Sequence, residues 1–210
     1  MALNPLLPND IRVRSAEEAP LDFHARYSAR GKRYRYLVLR ARTEDVFLRR
    51  VAAVISSPLD VEAMRRAGRA LWGVHDFRAF EVNARRTPPE LGAAPRSTVR
   101  TVGAVVVREG GNFLGIEALG KGFLYAMVRT IAGTLLEVGR GRLPPEAIGE
   151  VLRSKDRRRA GFTASPQGLS LLEVYYAEEE YRSNVAAAIA SERGGWSPHE
   201  PASPQSLGPR

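Results

Sequence analysis

The stretch GFLYAMVRTIAGTLLEVGRG, from Gly122 to Gly141, constrains this chain more than any other. Between Phe123 and Leu136 its only charged side chain is Arg129. Leu124, Val128, Ile131, Leu135 and Val138 recur at helical spacing, so the segment is expected to be a helix whose apolar stripe enters a core. Arg129 sits beside that stripe, with Tyr125, Gly133 and Leu136 as helical neighbours. A guanidinium keeps its proton, so a covered Arg129 calls for a carboxylate or a phosphate. A solvated arginine on an ordinary amphipathic helix fits the same spacing. A membrane span does not, because the apolar run falls short of the ~20 residues required and a central arginine is costly there.

Around this helix the sequence predicts alternating structure. Lys32–Arg40 reads as a strand, with Tyr34, Tyr36 and Val38 on one face and Arg33, Arg35 and Leu37 on the other. Asp60 is placed to cap a helix carrying Val61, Met64, Ala67 and Leu71, closed by Gly73. Residues 82–95 hold three prolines and read as an exposed loop. Val99–Arg108 and Phe113–Leu119 flank Glu-Gly-Gly-Asn as a hairpin. Pro144-Pro145 opens another short helix, and Leu169–Tyr176 forms a last strand. The fold class is therefore α+β, a largely antiparallel sheet with helices packed on it. The pattern fades from Ala177. We expect one domain over residues 1–181 and a disordered tail over 182–210, where Gly, Ser and Pro abound.

The chain has 210 residues, a formal charge of +9 and no cysteine. Disulfides and thiolate metal sites are excluded. His24, His75 and His199 lack ligand spacing, so no metal and no cofactor are expected. No signal peptide is evident, and a cytoplasmic location is expected. The excess of positive charge points to a polyanionic partner, most often nucleic acid. The basic residues cluster. One group is Arg26, Arg30, Lys32, Arg33, Arg35, Arg40 and Arg42; a second is Arg85, Arg86, Arg96 and Arg100; a third is Arg153, Lys155, Arg157, Arg158 and Arg159. Tyrosines among arginines on one strand suit single-stranded RNA, the ring stacking on a base while its neighbours hold phosphates. A strand with tyrosine in the core and arginine in solvent reads equally well.

The motifs together resemble the tRNA pseudouridine synthase A family. Phe23-His-Ala-Arg-Tyr-Ser-Ala29 followed by Lys32-Arg-Tyr-Arg-Tyr36, Gly73-Val-His-Asp-Phe-Arg-Ala-Phe80 and Ser97-Thr-Val-Arg-Thr101 follow its order. So do Phe123-Leu-Tyr-Ala-Met-Val-Arg129, Gly133-Thr-Leu-Leu-Glu-Val-Gly139, Lys155-Asp-Arg157 and Gly168-Leu-Ser-Leu171. Ala2-Leu-Asn-Pro-Leu-Leu-Pro8 and Asp10-Ile-Arg-Val13 match a segment from the middle of family members, so the resemblance spans about residues 2 to 176. It implies isomerisation of uridine to pseudouridine in the anticodon stem-loop of tRNA, at positions 38–40, with neither cofactor nor metal. In that chemistry an aspartate attacks the nucleotide, the glycosidic bond breaks, and the uracil turns and rejoins through carbon. Tyr34 then matches the tyrosine that stacks on the target base, and Arg129 the arginine that pairs with the catalytic aspartate. Leu169 or Leu171 matches an apolar wall beside the uracil, and Arg26 a basic residue near the RNA cleft. A homodimer is also implied.

The family's aspartate lies in a G-R-T-D motif that this sequence lacks, together with the strands around it. The expectation is an N-terminally truncated synthase, inactive alone. A non-catalytic RNA-binding domain, or an accessory subunit completed by a separate half, fits the same residues. Ala126 and Thr130 stand where the family often has Asn, and Ser170 where it often has Tyr.

Overall fold

The structure is a computed structural model, and it describes residues 3–82 and 97–198. Most of the Pro-rich loop, with Arg85, Arg86 and Arg96, lies outside these residues, as do His199 and the end of the expected tail. Among the described residues six strands form one sheet, ordered β2-β1-β5-β4-β3 with β6 also paired to β1. The strands are β1 (Gly31–Arg40), β2 (Ala53–Ile55), β3 (Gly73–Asp76), β4 (Val99–Gly110), β5 (Phe113–Gly120) and β6 (Leu169–Tyr175). The β4–β5 hairpin forms around Gly111, which takes a left-handed φ of 54°. All pairings are antiparallel except β1 with β2.

The expected α+β architecture is present, with helices on both faces of the sheet. Helices α1 (Val61–Arg69), α2 (Met127–Gly139) and α3 (Ala147–Ser154) share one core with Tyr36, Val38, Val105, Val107, Leu114 and Ile116. We call this the inner face. The Asp60 side chain caps α1 by accepting from the Ala63 N–H at 2.8 Å, as its sequence context predicts. The opposite, outer face carries Ala104, Val106, Leu119 and Tyr175, which pack against α4 (Glu178–Ala190) through Tyr181 and Ala188. Alternation along β4 and β5 divides each strand between these two cores.

Two expectations need correction. Helix α2 begins at Met127 rather than near Gly122, because Ala126 is left-handed at φ 55° and no helix runs through it. Residues 182–198 are not an unstructured tail. Helix α4 covers the outer face, and Trp196 is buried against it. The sheet supplies glycines where those rings land. A Cβ on Gly31 or Gly103 would collide with Tyr181, and one on Gly110 or Gly115 with Trp196. The Gly, Ser and Pro that suggested disorder follow α4, and the helix itself buries only one edge, too weak a stripe to read.

Candidate active site

The inner face of β1 and β6 assembles four of the five residues singled out from sequence. Cross-strand register sets Tyr34 opposite Leu171 and Tyr36 opposite Leu169. Directly opposed side chains share a face, so both leucines line up beside both tyrosines on the side that carries α2. Tyr34 is half-buried, and its ring meets Phe123 edge-on at 5.3 Å between centroids. Leu169 packs against the inner core, whereas Leu171 is half exposed. Burial pushes the Tyr34 phenol above its ordinary pKa, which favours a neutral ring that presents its face.

Arg129 enters from the first turn of α2 and is half-buried. Its Nε donates to the Ala164 carbonyl at 2.6 Å, and the Ala164 N–H returns a bond of 3.1 Å to the Arg129 carbonyl. The two Nη atoms make no hydrogen bond to a described residue, and no described carboxylate lies within ion-pair distance. The guanidinium is thus held at one edge and open at the other, which is the geometry that receives a carboxylate through two parallel bonds.

The segment that fixes Arg129 runs from Gly161 to Ser165 and lies tightly along α2. Gly133 makes this approach possible, since a Cβ there would collide with the Phe162 carbonyl. The Gly161 N–H donates to the Thr134 hydroxyl at 2.9 Å. The far end of the segment, at Ser165, reaches a tyrosine that sequence reasoning gave no role. The Tyr36 hydroxyl donates to the Ser165 carbonyl at 2.9 Å and lies 3.1 Å from the Ser165 hydroxyl; burial pushes its pKa up, partly offset by the Ser165 side chain and by the Arg129 charge. Only alternation on β1 pointed to Tyr36, and it pointed equally to a plain core residue.

A second polar link ties two more motifs together. Asp76, from the Gly73–Phe80 motif, pairs with Lys155 Nζ at 3.0 Å and accepts from the Thr98 hydroxyl and the Arg78 N–H. Burial opposes its ionisation, but these donors outweigh burial and hold the carboxyl at about 2. Lys155 itself is left-handed at φ 54°. It leads into Arg157, two residues later.

Arg26 is elsewhere. It lies in the exposed segment before β1, with its guanidinium 5.7 Å from the Tyr27 ring centre, and this segment is fastened to the end of β6 by the bond from Tyr176 Oη to the Ala25 carbonyl. Arg33 and Arg35 are not available to phosphates, contrary to the RNA reading of β1. Both are buried on the outer face, where Glu117 accepts Arg33 Nη2 at 2.7 Å and Arg35 Nε at 2.9 Å, with Arg108 at 3.7 Å. The solvated alternative fails too, because α4 and Trp196 close over them; Arg35 lies 5.2 Å from the Trp196 ring centre. Burial works against an ionised Glu117, but the three guanidiniums outweigh it and hold the carboxyl below its usual range. Among the described residues no helix is long and apolar enough to cross a membrane, and no group of three or more His, Asp or Glu is placed to hold a metal ion.

A family model described as tRNA pseudouridine synthase matches residues 67–177, which include α2, the Gly161–Ser165 segment and β6. The tRNA pseudouridine synthase A of Acetivibrio thermocellus is 42% identical over 175 residues, covering 83% of this chain and 68% of that protein. The same-named protein of an Exiguobacterium species is 45% identical over 175 residues, covering 83% and 67%. That of Geobacillus kaustophilus is 46% identical over 178 residues, covering 85% and 66%. With its most distinctive helix, its paired tyrosine strand and this breadth of identity, the chain belongs to the tRNA pseudouridine synthase A family.

Proposed function

We propose that these residues form the arginine-bearing half of a catalytic cleft that isomerises uridine to pseudouridine in the anticodon stem-loop of tRNA, at positions 38–40. The observation that carries the reading is Arg129, clamped through Nε and open at both Nη atoms. In the cleft this open edge receives the carboxylate of the aspartate of a G-R-T-D segment. The guanidinium keeps that carboxylate ionised within a covered site, where a nucleophile is needed. Tyr34 stacks on the flipped uracil, and Leu169 and Leu171 wall it in. Arg26 meets the RNA backbone beside the cleft. The carboxylate attacks the nucleotide, the glycosidic bond to nitrogen breaks, and the uracil turns. A bond from its C5 to the ribose then forms, the carboxylate is released, the C5 proton leaves, and the freed ring nitrogen takes up a proton. No redox partner is required, since the product is an isomer of the substrate. The assembled enzyme acts as a homodimer.

The test joins this chain to a family segment bearing G-R-T-D and measures pseudouridine in tRNA. Arg129→Ala should abolish most turnover while tRNA affinity stays within about twofold. Unchanged turnover would remove Arg129 from the mechanism. Tight tRNA binding by the joined protein with no product would favour a non-catalytic RNA-binding role.

A further inference from the structure

Arg157 is half-buried, yet none of its hydrogen bonds reaches a carboxylate. Its Nη1 donates to the Gly161 carbonyl at 2.8 Å and to the Ala160 carbonyl at 3.5 Å, and its Nη2 donates to the Thr163 hydroxyl at 2.9 Å. The Thr163 hydroxyl lies 3.4 Å from that of Thr130, one residue after Arg129. Burial lowers its pKa, and no neighbouring anion restores it. A charged group kept in such a place costs free energy unless it organises its surroundings. What it organises is the segment whose next two carbonyls, of Ala164 and Ser165, hold Arg129 and Tyr36.

We propose that Arg157 is a positioning residue of this site, tying Ala160, Gly161 and Thr163 together so that the Ala164 carbonyl fixes the Arg129 guanidinium edge-on. The proposal rests on the reading of Arg129 as an active-site group. Its reach is short and one-directional. Three bonds gather the start of the segment around one guanidinium, Gly133 sets its distance from α2, and Arg129 takes its orientation from the far end. A loosened segment would let Arg129 rotate away from the incoming carboxylate, and misplacement on the scale of 1 Å costs about 100-fold in rate.

Two measurements decide it. In the 210-residue chain, the Arg129 Nε–H resonance, assigned through Arg129→Lys, should exchange slowly with solvent. In Arg157→Ala it should exchange at least about tenfold faster, and an unchanged rate overturns the proposal. In the joined, pseudouridine-forming protein, Arg157→Ala should lower kcat about 10–100-fold with KM for tRNA within about twofold. Arg157→Lys should recover part of that loss, because an ammonium can still hold a carbonyl. A loss confined to KM, steepening with salt, would make Arg157 a phosphate contact instead and would also overturn it. Should Arg157→Ala unfold, Thr163→Val removes one tether at less risk and should give a smaller fall in kcat in the same direction; unchanged kcat overturns the proposal. If the joined wild type makes no pseudouridine, the functional reading fails, and the exchange rate still decides the role of Arg157.

Discussion

The two faces of the sheet hold their arginines in opposite ways. On the outer face Arg33, Arg35 and Arg108 converge on Glu117, which is 0% exposed, and α4 with Trp196 seals them in. Tyr175 joins from β6, its hydroxyl bonded to Glu173, which pairs in turn with Arg33 at 3.5 Å. On the inner face Arg129 has one backbone acceptor and an open edge. A cluster closed on a buried carboxylate supports the fold. An unsaturated one retains binding capacity, and pays for it by contributing little to stability. Arginine count alone therefore overstates the surface this chain offers a polyanion.

The largest effect should separate these faces directly. Glu117→Ala leaves three buried guanidiniums without their shared acceptor and should cost about 3–5 kcal/mol of unfolding free energy. Arg129→Ala removes a single bond to a carbonyl and should cost about 1 kcal/mol or less. Urea denaturation of the two variants side by side checks the contrast. Equal losses would erase the distinction between the faces.

Next in size is the cover itself. Trp196→Ala removes a ring that fills the space over Gly115 and stacks near Arg35, at a cost of about 3 kcal/mol. The same change should expose Glu117 and its partners to solvent and salt. A loss below about 1 kcal/mol would mean that the segment after α4 is not part of the folded unit.

These contrasts also mark what the sequence could disclose. Periodicity was enough for β1, the hairpin, α1 and α3, since each has a clear stripe or alternation and punctuating residues at its ends. It could not tell whether Arg33 and Arg35 faced water, RNA or protein, because Glu117 is 84 and 82 residues away along the chain and meets them only through β1–β5 register. Arg129 stands out through its isolation on an apolar helix, and the role proposed for it comes from its motif. Tyr36, Ala164 and Ser165 did not stand out, since backbone carbonyls carry no signal in a sequence. The short strands β2 and β3 were invisible for a related reason. They form by pairing with longer neighbours, and three or four residues have no period of their own.

A smaller effect comes from acid, and it tests whether the inner face is braced by exposed or by buried charge. Asp76 is held at about 2, below its ordinary value. Its contribution is therefore complete above about pH 4 and lost as pH falls through 2. Asp76→Asn should lower stability at neutral pH and remove part of the acid dependence between pH 4 and 2. Thermal melts across that range check this, and parallel curves for variant and wild type would show that Lys155 and Thr98 do not stabilise the ionised form.

The smallest predicted effect concerns strain. Among the described residues, the non-glycine positions with positive φ are Ala126 and Lys155, and both belong to the inner face. Ala126 begins the helix of Arg129, and its carbonyl accepts from the Thr130 N–H at 3.0 Å. Lys155 opens the turn into Arg157. A left-handed alanine costs about 1–2 kcal/mol, and asparagine bears that conformation more easily. Strain of this kind persists where the surrounding structure demands a shape, and it gathers at functional sites. Ala126→Asn should therefore raise stability by about 1 kcal/mol and leave the Arg129 Nε–H protected. If instead stability is unchanged, α2 does not begin under strain, and the inner face differs from the outer only in its unpaired charge.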